Sequence, residues 1–362
     1  MTDVLHVRGV VLPDDVTGDL WLHGDRVSLT PAPDAVTVID SGFVLPGLVD
    51  AHCHIGMRPT SQVDSIAEVR SLALIDRAAG VLTIRDAGSP VHYGASLDDD
   101  PEMPRLVRAG QHIAAPKRYM RDIGVEVSAS ELPDEVRRQA ALGNGWVKIV
   151  GDWIDRSVGD LSPSWDAPVM AEAVAVAHSA GARVAVHTFG EESVAGLVRA
   201  GVDSVEHGTG LSDEDISVMA AAGTALVPTM LNIATFGPIA EQARTKFPKY
   251  ADHMLALRDR LPGVVSAAHE AGVAIYVGTD AGGTLAHGLA AREMLKLHEK
   301  AGMSTMDVLA AGSYGARAWL GFAGLVEGGP ADLVLYERDP RLDLRALLEP
   351  RLIVLRGTPR SP

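Results

Sequence analysis

Two histidines stand two positions apart in the segment Asp50-Ala51-His52-Cys53-His54, which follows an apolar, strand-like run. Side chains at positions i and i+2 of a strand point to the same face, so His52 and His54 present two imidazoles together. Neutral imidazole is a preferred ligand of zinc and similar divalent metals. The alternative, which this segment alone leaves open, is a histidine pair that only packs at the end of a strand.

His187, His207 and Asp280 also come at the ends of short apolar runs, in three other parts of the chain. If these runs are parallel strands of a barrel, their C-terminal ends meet at one face, where enzymes with that fold carry their active sites. The pattern therefore predicts a metal centre built from four histidines and one aspartate.

Lys148 lies in the middle of the apolar run Trp146–Val150. Burial disfavours the charged form of an amine and lowers its pKa. A neutral lysine amine can add carbon dioxide, and the resulting carbamate is an anion whose two oxygens can bridge two metal ions. The alternatives are a lysine paired with a carboxylate such as Asp86, or one whose amine reaches the rim of the barrel.

Short β-rich runs alternate with alanine-rich helical stretches from Pro46 onward. This alternation is typical of a closed (β/α)8 TIM barrel, with an open doubly wound sheet as the alternative. The predicted strands span residues 47–55, 81–87, 105–113, 146–150, 183–188, 204–207, 225–230 and 274–280. The predicted helices span residues 64–79, 133–142, 167–180, 191–200, 213–222 and 263–271.

The two ends of the chain differ from its middle, because they contain strand-like runs without a helical period. We expect these ends to pair into a small β-sandwich domain of residues 1–45 and 324–362, beside a barrel domain of residues 46–323. Two domains also suit a chain of 362 residues, since a single core rarely grows beyond about 250–300 residues.

Composition and charge narrow the range of partners. The net charge of −15 repels phosphate backbones, so no nucleic-acid partner is expected. No apolar stretch reaches the ~18 residues of a membrane helix, and the N-terminus lacks the pattern of a signal peptide. Cys53 is the single cysteine, which suits a reducing compartment. We expect a cytoplasmic enzyme with a small-molecule substrate and no membrane partner, and a homo-oligomer is compatible with the sequence.

These motifs together resemble those of the amidohydrolase superfamily. The matching segments are residues 50–54, 186–187, 206–208, 278–282 and 328–334. Lys148, with residues 83–88 and 204–208, is similar to the imidazolonepropionase-like and prolidase-like branch, which includes metal-dependent dipeptidases and carboxypeptidases. The resemblance covers essentially the whole chain and implies a division of the ligands between two divalent ions, with zinc as the expected metal. His52, His54 and Asp280 would hold the first ion, His187 and His207 the second, and carboxylated Lys148 and a hydroxide would bridge them.

Such a centre predicts hydrolysis of an amide-type C–N bond in a peptide, an N-acyl amino acid or a cyclic amide. Metal ions lower the pKa of bound water toward ~7 and polarise the carbonyl group. Asp280 is expected to be the proton shuttle between the hydroxide and the leaving group. One departure puts a peptide substrate in doubt, because residues 151–156 replace the Ser-Gly-Gly stretch that often follows the lysine in this branch.

Three other functions fit parts of the pattern. A mononuclear deaminase or imidazolone-type ring hydrolase often carries a glutamate three residues after the histidine of strand five, and position 190 here is glycine, followed by Glu191 and Glu192. A lactone or ester hydrolase would use the same centre on a different bond. A non-catalytic binding protein would usually have lost metal ligands, and all the candidate positions here are filled.

Candidate substrate-binding residues lie on or beside the long connections at residues 88–103, 114–130, 151–165 and 231–248, which are expected to roof the catalytic face. They are His112, Arg118, Tyr119, Asp152, Trp153 and Asn232, together with His287, which follows the last predicted strand of the barrel. Arg118 is the candidate for clamping a substrate carboxylate. Cys53 and Glu206 should point away from the metals, Cys53 into packing and Glu206 into packing or the support of a ligand.

Overall fold

The structure, a computed structural model, describes residues 4–59 and 61–362. Residues 1–3 of the predicted terminal domain lie outside the described residues. Strands and helices alternate along most of the chain, so the protein is mixed α/β. The strands that carry the candidate site belong to two parallel sheets, and the two ends of the chain form another sheet.

The first parallel sheet carries the predicted His52–His54 pair. Its strand Leu48–Cys53 pairs in parallel with Val81–Asp86, which in turn pairs in parallel with Arg105–Arg108. Every residue of the first two strands is buried, as expected for parallel strands that are covered on both faces. Buried polar residues in them, such as Arg85, therefore need partners inside the fold.

The second parallel sheet carries three more candidate ligands. Its register places Lys148 opposite Ala185, and His187 opposite both Val150 and Glu206. The predicted strands at residues 146–150, 183–188 and 204–207 are confirmed. In order across the sheet, its strands are Val125–Glu126, Ile113–Ala114, Trp146–Val150, Arg183–Thr188, Ser204–His207 and Ala225–Val227.

The predicted strand at residues 105–113 is interrupted in the structure. Arg105–Arg108 belongs to the first sheet and Ile113–Ala114 to the second. Gly110 lies between them with φ 72°, a conformation that glycine adopts without steric strain and that does not continue a strand.

The predicted strand at residues 274–280 forms bridges rather than a regular ladder. Tyr276 N donates to Leu226 O at 3.0 Å, and Ala51 N donates to Val277 O at 2.8 Å. This segment therefore lies between the last strand of the second sheet and the first strand of the first sheet.

Helices alternate with these strands, and the predicted helices before residue 223 are confirmed apart from small shifts at their ends. In the helix Asp213–Ala222, the Ser212 side chain accepts a hydrogen bond from Asp215 N, and Gly223 ends the helix with φ 73°. The helices are Ile66–Ala78, Leu132–Leu142, Ala167–Ser179, Glu191–Arg199, Asp213–Ala222, Met230–Ile233, Phe236–Arg244, Pro248–Glu270, Ala290–Ala301, Thr305–Gly312 and Tyr314–Trp319.

The predicted helix at residues 263–271 is the last part of the longer helix Pro248–Glu270. Pro262 lies inside that helix, although its ring removes one helical hydrogen bond and favours a break. Leu257, before the proline in the helix, and Val265, after it, are both buried in the main hydrophobic core, so tertiary contacts stabilise the helix. Among the described residues, no helix combines the length and the apolar character needed to cross a membrane.

Two connections that the sequence predicts as loops contain regular structure. Residues 151–165 form a β-hairpin. Residues 231–248 contain one short helix and all but the first residue of another. The hairpin strands are Asp152–Asp155 and Asp160–Pro163, and the helices are Met230–Ile233 and Phe236–Arg244.

The two ends of the chain join in one sheet, so their predicted pairing is confirmed. Leu333–Tyr336 pairs antiparallel with Phe43–Pro46, a strand that the sequence did not predict. Among the described residues, the strands follow the order Thr358–Arg360, Leu352–Leu355, Leu333–Tyr336, Phe43–Pro46, Leu5–Val11, Thr17–His23 and Arg26–Ser28, with Val36–Ile39 also beside Leu5–Val11.

Candidate metal centre

The predicted histidine ligands lie close together at the C-terminal ends of the parallel strands. The ring centroid of His52 is 5.2 Å from that of His54 and 5.1 Å from that of His207. The ring of His187 is 4.7 Å from that of His207. All four residues are buried. The structure therefore brings the imidazoles together from three strands, as the sequence predicts.

Asp280 joins the histidines through its carboxylate. Oδ1 lies 2.9 Å from Nε2 of His54 and 3.4 Å from Nε2 of His52. Oδ2 accepts a hydrogen bond from Nδ2 of Asn232 at 2.6 Å. Burial alone would raise the pKa of Asp280, but the charge and hydrogen bonds of the histidines outweigh burial and hold the pKa well below its usual value. The carboxylate is therefore ionised at neutral pH.

A second pair of donors lies beside the first group. Nε2 of His207 is 3.0 Å from Nδ1 of His187, and Nδ1 of His207 is 2.7 Å from Oγ1 of Thr229. Burial lowers the pKa of both histidines well below the usual value. Both rings are therefore neutral, which is the form that binds metal ions.

The arrangement fits divalent metal ions. Donor atoms of His52, His207 and Asp280 all lie within 4.8 Å of one another. Ligand atoms around a tetrahedral zinc ion, at roughly 2.0–2.1 Å from it, are about 3.3 Å apart, close to the donor spacings of 2.9, 3.0 and 3.4 Å found here. Imidazole and carboxylate are also donor types that zinc and related metals accept.

Lys148 is buried in the second sheet, and its Nζ has no hydrogen-bond partner among the described residues. Burial lowers its pKa from 10.5 to about 8, although Glu206 and Asp280 oppose that shift. The two alternatives for this lysine are not found. Asp86 instead accepts hydrogen bonds from Tyr93 and from Gly88 N, and the amine is too deeply buried to reach the rim.

The backbone is strained where the site is built. His207, Thr229 and Asp280 have φ angles of 68°, 47° and 56°, in the left-handed region that non-glycine residues rarely adopt. Asp280 is held in this conformation because its N–H donates to His52 O at 2.6 Å. Such strain costs about 1–3 kcal/mol per residue and is common at functional sites.

Two buried residues with ionisable side chains, Asp50 and Arg85, support the ligands, and neither was predicted from the sequence to have a role in the site. Asp50 accepts hydrogen bonds from the backbone and the hydroxyl of Thr279, at 3.1 and 2.6 Å, which fixes the chain just before Asp280. Arg85 binds Glu206, and Glu206 in turn contacts His52. The signal that could have found them is a charged residue inside a strand that is otherwise apolar.

Three predicted substrate residues lie against the metal ligands. The ring of His112 is 4.8 Å from that of His54, and neither of its nitrogens has a partner among the described residues. The ring of Tyr119 lies tilted against that of His112 at 5.2 Å and meets that of Trp153 edge-on at 4.8 Å. Trp153 is also 5.4 Å from His187. These rings form one wall beside the centre.

The other predicted substrate residues bind protein groups. Arg118 donates to Trp153 O and Ser162 O at 3.0 and 2.6 Å, which ties it to the β-hairpin. Asp152 accepts from Phe189 N and Gly190 N. His287 lies 2.9 Å from Asp76, in a buried group with Cys53, and Asn232 donates to Asp280. Substrate binding by these residues stays a prediction.

The carboxylate nearest to the position that the deaminase alternative requires turns away from the centre. Glu191 lies 2.8 Å from a ring nitrogen of His253 and accepts from Arg260 at 3.0 Å. It is therefore engaged with the outer helix Pro248–Glu270 rather than with the metal ligands.

The sequence pattern of the amidohydrolase family matches residues 43–356, and the chain belongs to this family. The resemblance inferred from the motifs is thereby confirmed. The chain is an enzyme that hydrolyses C–N bonds, and its family generally uses a divalent metal and acts on small molecules. Together with structural neighbours, the family implies a TIM-barrel fold.

The chain is similar to three known proteins in particular. An uncharacterised protein of Mycobacterium tuberculosis is 47% identical over 359 residues, which cover 99% of this chain and 96% of that protein. A Xaa-Pro dipeptidase structure superposes with a TM-score of 0.83 at 23% identity, covering 99% of this chain and 100% of that one. The structure of Aspergillus niger ochratoxinase superposes with a TM-score of 0.80 at 18% identity, covering 99% and 96%.

Proposed function

We propose that this amidohydrolase is a two-metal enzyme that cleaves an amide-type C–N bond in a peptide, an N-acyl amino acid or a cyclic amide. The observation that carries this proposal is the amine of Lys148, which is buried and unpaired among the described residues beside the histidines and Asp280. A buried amine without a partner is costly, and a carbamate that binds metal ions would relieve that cost.

The proposed frame is a closed (β/α)8 barrel of residues 46–323, with a small β-sandwich of residues 1–45 and 324–362. The contacts of residues 274–281 with both parallel sheets support closure. The pairing of Leu333–Tyr336 with Phe43–Pro46 supports a terminal domain that joins the barrel close to residue 46.

The proposed ligands divide into two sets, and the donor atoms within each set already lie close to one another. The carbamate of Lys148 would contribute one oxygen to each set. Zinc is the expected metal, because the protein donors are imidazoles and a carboxylate. When bound, the metal ions supply activated water at neutral pH and polarise the scissile carbonyl. The first set is His52, His54 and Asp280, and the second is His187 and His207.

Asp280 is proposed to move the proton in the reaction. Its side chain is 16% exposed, more than the side chains of His52 and His54, so it lies on the open side of the centre. It is ionised before the reaction and can accept a proton. The leaving nitrogen then takes that proton, while the amide of Asn232 keeps the carboxylate oriented.

A cavity of about 510 Å³ opens next to the centre and is the proposed substrate entrance. Two of its lining residues adjoin His54: Met57 N donates to His54 O at 3.0 Å, and a side chain at Gly282 would collide with the same oxygen. Among the described residues, the guanidinium of Arg121 has no ion-pair partner, although it lines this cavity. We propose that Arg121, rather than Arg118, meets an anionic group of the substrate.

The substrate class would be identified by a screen of the enzyme reconstituted with zinc and bicarbonate. The panel contains dipeptides, N-acyl amino acids, hydantoin-like rings, amidines and lactones, with Asp280→Asn as the matched inactive control. Turnover of one amide class that Asp280→Asn abolishes would support the proposal. Turnover of lactones alone, or of amidines by a one-metal form with full activity, would overturn it.

A further inference from the structure

A buried ion pair lies behind the candidate metal centre. Arg85 and Glu206 come from strands of the two different parallel sheets, and both side chains are almost completely buried. Nη2 of Arg85 donates to both carboxylate oxygens of Glu206, at 2.8 and 2.9 Å. An ion pair at such depth needs further partners to offset the loss of water.

Aromatic rings hold the arginine in place. The guanidinium of Arg85 lies 4.4 Å from the ring centroid of Trp146 and 4.9 Å from that of Trp319. Its Nε also donates to the carbonyl oxygen of Ala51, the residue directly before His52. The arginine therefore contacts the first strand and the carboxylate at the same time, in a fixed orientation.

The carboxylate connects the arginine to a metal ligand. Oε2 of Glu206 is 2.6 Å from Nδ1 of His52. Ser204 donates its hydroxyl to the other oxygen, Oε1. An ionised carboxylate only accepts hydrogen bonds, so Nδ1 of His52 carries a proton. In the neutral ring, which is the form that binds metal ions, Nε2 then keeps its lone pair. That Nε2 faces Asp280 Oδ1 at 3.4 Å.

We propose that Arg85 and Glu206 act together as positioning residues that fix the tautomer and the orientation of the His52 ring, and thereby set the metal affinity of the centre. The proposal rests on the proposed function only in taking His52 as a metal ligand. Loss of the hydrogen bond that a ligating histidine donates to a carboxylate typically changes metal affinity by 10- to 100-fold.

Glu206→Gln tests the proposal directly. An amide has a single acceptor oxygen, and Arg85 would take it. The amide nitrogen would then donate to Nδ1 of His52, which moves the ring proton to Nε2 and blocks the ligand atom. We expect Glu206→Gln to weaken zinc binding by roughly 10- to 100-fold, measured by competition with a chromophoric chelator on metal-free protein.

A second buried arginine in the same fold provides a matched control. Arg317 is as buried as Arg85 and donates to Asp332 at 3.2 Å and to Thr83 at 2.9 Å. Among the described residues, it makes no hydrogen bond or ion pair with a candidate ligand. Arg317→Met and Arg85→Met should both lower the melting temperature. Only Arg85→Met should also weaken zinc binding, because only it releases Glu206 from the orientation in which it holds His52.

The outcomes separate this proposal from a purely structural role and from the proposed function. Equal zinc affinity in wild type, Glu206→Gln and Arg85→Met would overturn it, as would equal losses in Arg85→Met and Arg317→Met. If Glu206→Gln does not fold, Arg85→Lys replaces it as the test. Lysine keeps the charge beside Glu206 but loses the separate hydrogen bond from Nε to the Ala51 carbonyl oxygen, so it should weaken zinc binding by less than Arg85→Met does. Zinc affinity is read without any substrate, so a failed substrate screen leaves this result unaffected.

Discussion

The candidate metal centre and the junction between the first parallel sheet and the terminal sheet are both buried and polar, but their polar groups are satisfied differently. At the junction, Asp332 accepts hydrogen bonds from Arg105, Arg317 and Arg356 N. At the centre, Lys148 Nζ has no partner among the described residues. Within that same part of the chain, single nitrogens of Arg317 and Arg356 also lack partners, but these side chains are paired through other atoms, whereas the side chain of Lys148 has one polar atom and that atom has none. An amine left wholly unpaired suits a site built to receive something else rather than a contact that holds the fold together.

The same comparison predicts opposite results for two aspartates, and this is the largest effect expected. Asp280→Asn should lower kcat by about 10³-fold, within the range for a lost acid–base group, while the fold persists because asparagine tolerates the left-handed backbone. Steady-state kinetics and circular dichroism measure the two quantities.

Asp332→Asn is the matched change at the junction. It leaves buried arginines without their counter-charge and should cost about 3–5 kcal/mol of stability, with kcat changed less than about threefold in the protein that remains folded. A large loss of kcat in folded Asp332→Asn, or nearly full activity in Asp280→Asn, would contradict the assignment of a structural role to the junction and a catalytic role to the centre.

Lys148→Met should lower kcat by about 10²-fold or more, since the proposed bridging carbamate is lost. It should also change the pH dependence of stability in metal-free protein kept without carbon dioxide. The pKa of the lysine falls from 10.5 to about 8 on folding, so the unfolded chain binds more protons between these pH values.

The free energy of unfolding of wild type should therefore rise from pH 8 to 10.5 relative to Lys148→Met, by about 3 kcal/mol. Below pH 8 the amine of Lys148 is protonated in the folded protein, and the full cost of burying that charge lowers the stability of wild type. Urea unfolding at several pH values measures the difference between the two proteins. If the difference in free energy of unfolding between the two proteins does not change with pH, folding does not lower the pKa of Lys148.

Asn232→Ala removes the hydrogen bond to Asp280 and the contact with Thr284. A hydrogen bond to a charged group contributes about 1.5–3 kcal/mol, so kcat should fall roughly 10- to 100-fold. KM should change little, because the residue orients the carboxylate rather than the substrate. A rise in KM at constant kcat would instead support the sequence-based prediction that Asn232 binds substrate.

The smallest effects separate two arginines. Arg121→Ala should raise KM for a carboxylate-bearing substrate by about tenfold at unchanged melting temperature, as the loss of an exposed charged contact would. Arg118→Ala should lower stability by about 1–3 kcal/mol, because it leaves the carbonyl groups of the hairpin without donors. A higher KM in Arg118→Ala together with lower stability in Arg121→Ala would instead identify Arg118 as the residue that binds the substrate carboxylate.

The sequence predicted those features that depend on a single residue and its immediate neighbours, such as a candidate ligand at a strand end or a residue that ends a helix. His52 and His54 follow from strand periodicity, and Lys148 stands out because its neighbours are apolar. Secondary structure was predictable where caps are local, as at Ser212 and Gly223.

Individual side-chain contacts between distant segments could not be predicted, because the strand pattern does not specify them. The role of Arg85 requires two tryptophans and a glutamate from other parts of the chain. Arg118 has the right type and place for a substrate clamp, but the hairpin that occupies it forms only in three dimensions. Pro262 lies inside a helix because packing outweighs its local preference.

The central claim is a two-metal centre that includes a carboxylated Lys148, and the metal content of reconstituted protein tests it most directly. Wild type loaded with zinc and ¹³C-bicarbonate should bind two ions per chain by mass spectrometry of the metal, and should show one carbamate carbon by NMR. Lys148→Met, treated in the same way, should lack the carbamate signal and bind at most one ion tightly. One ion per chain with full activity and no carbamate in wild type would contradict the account.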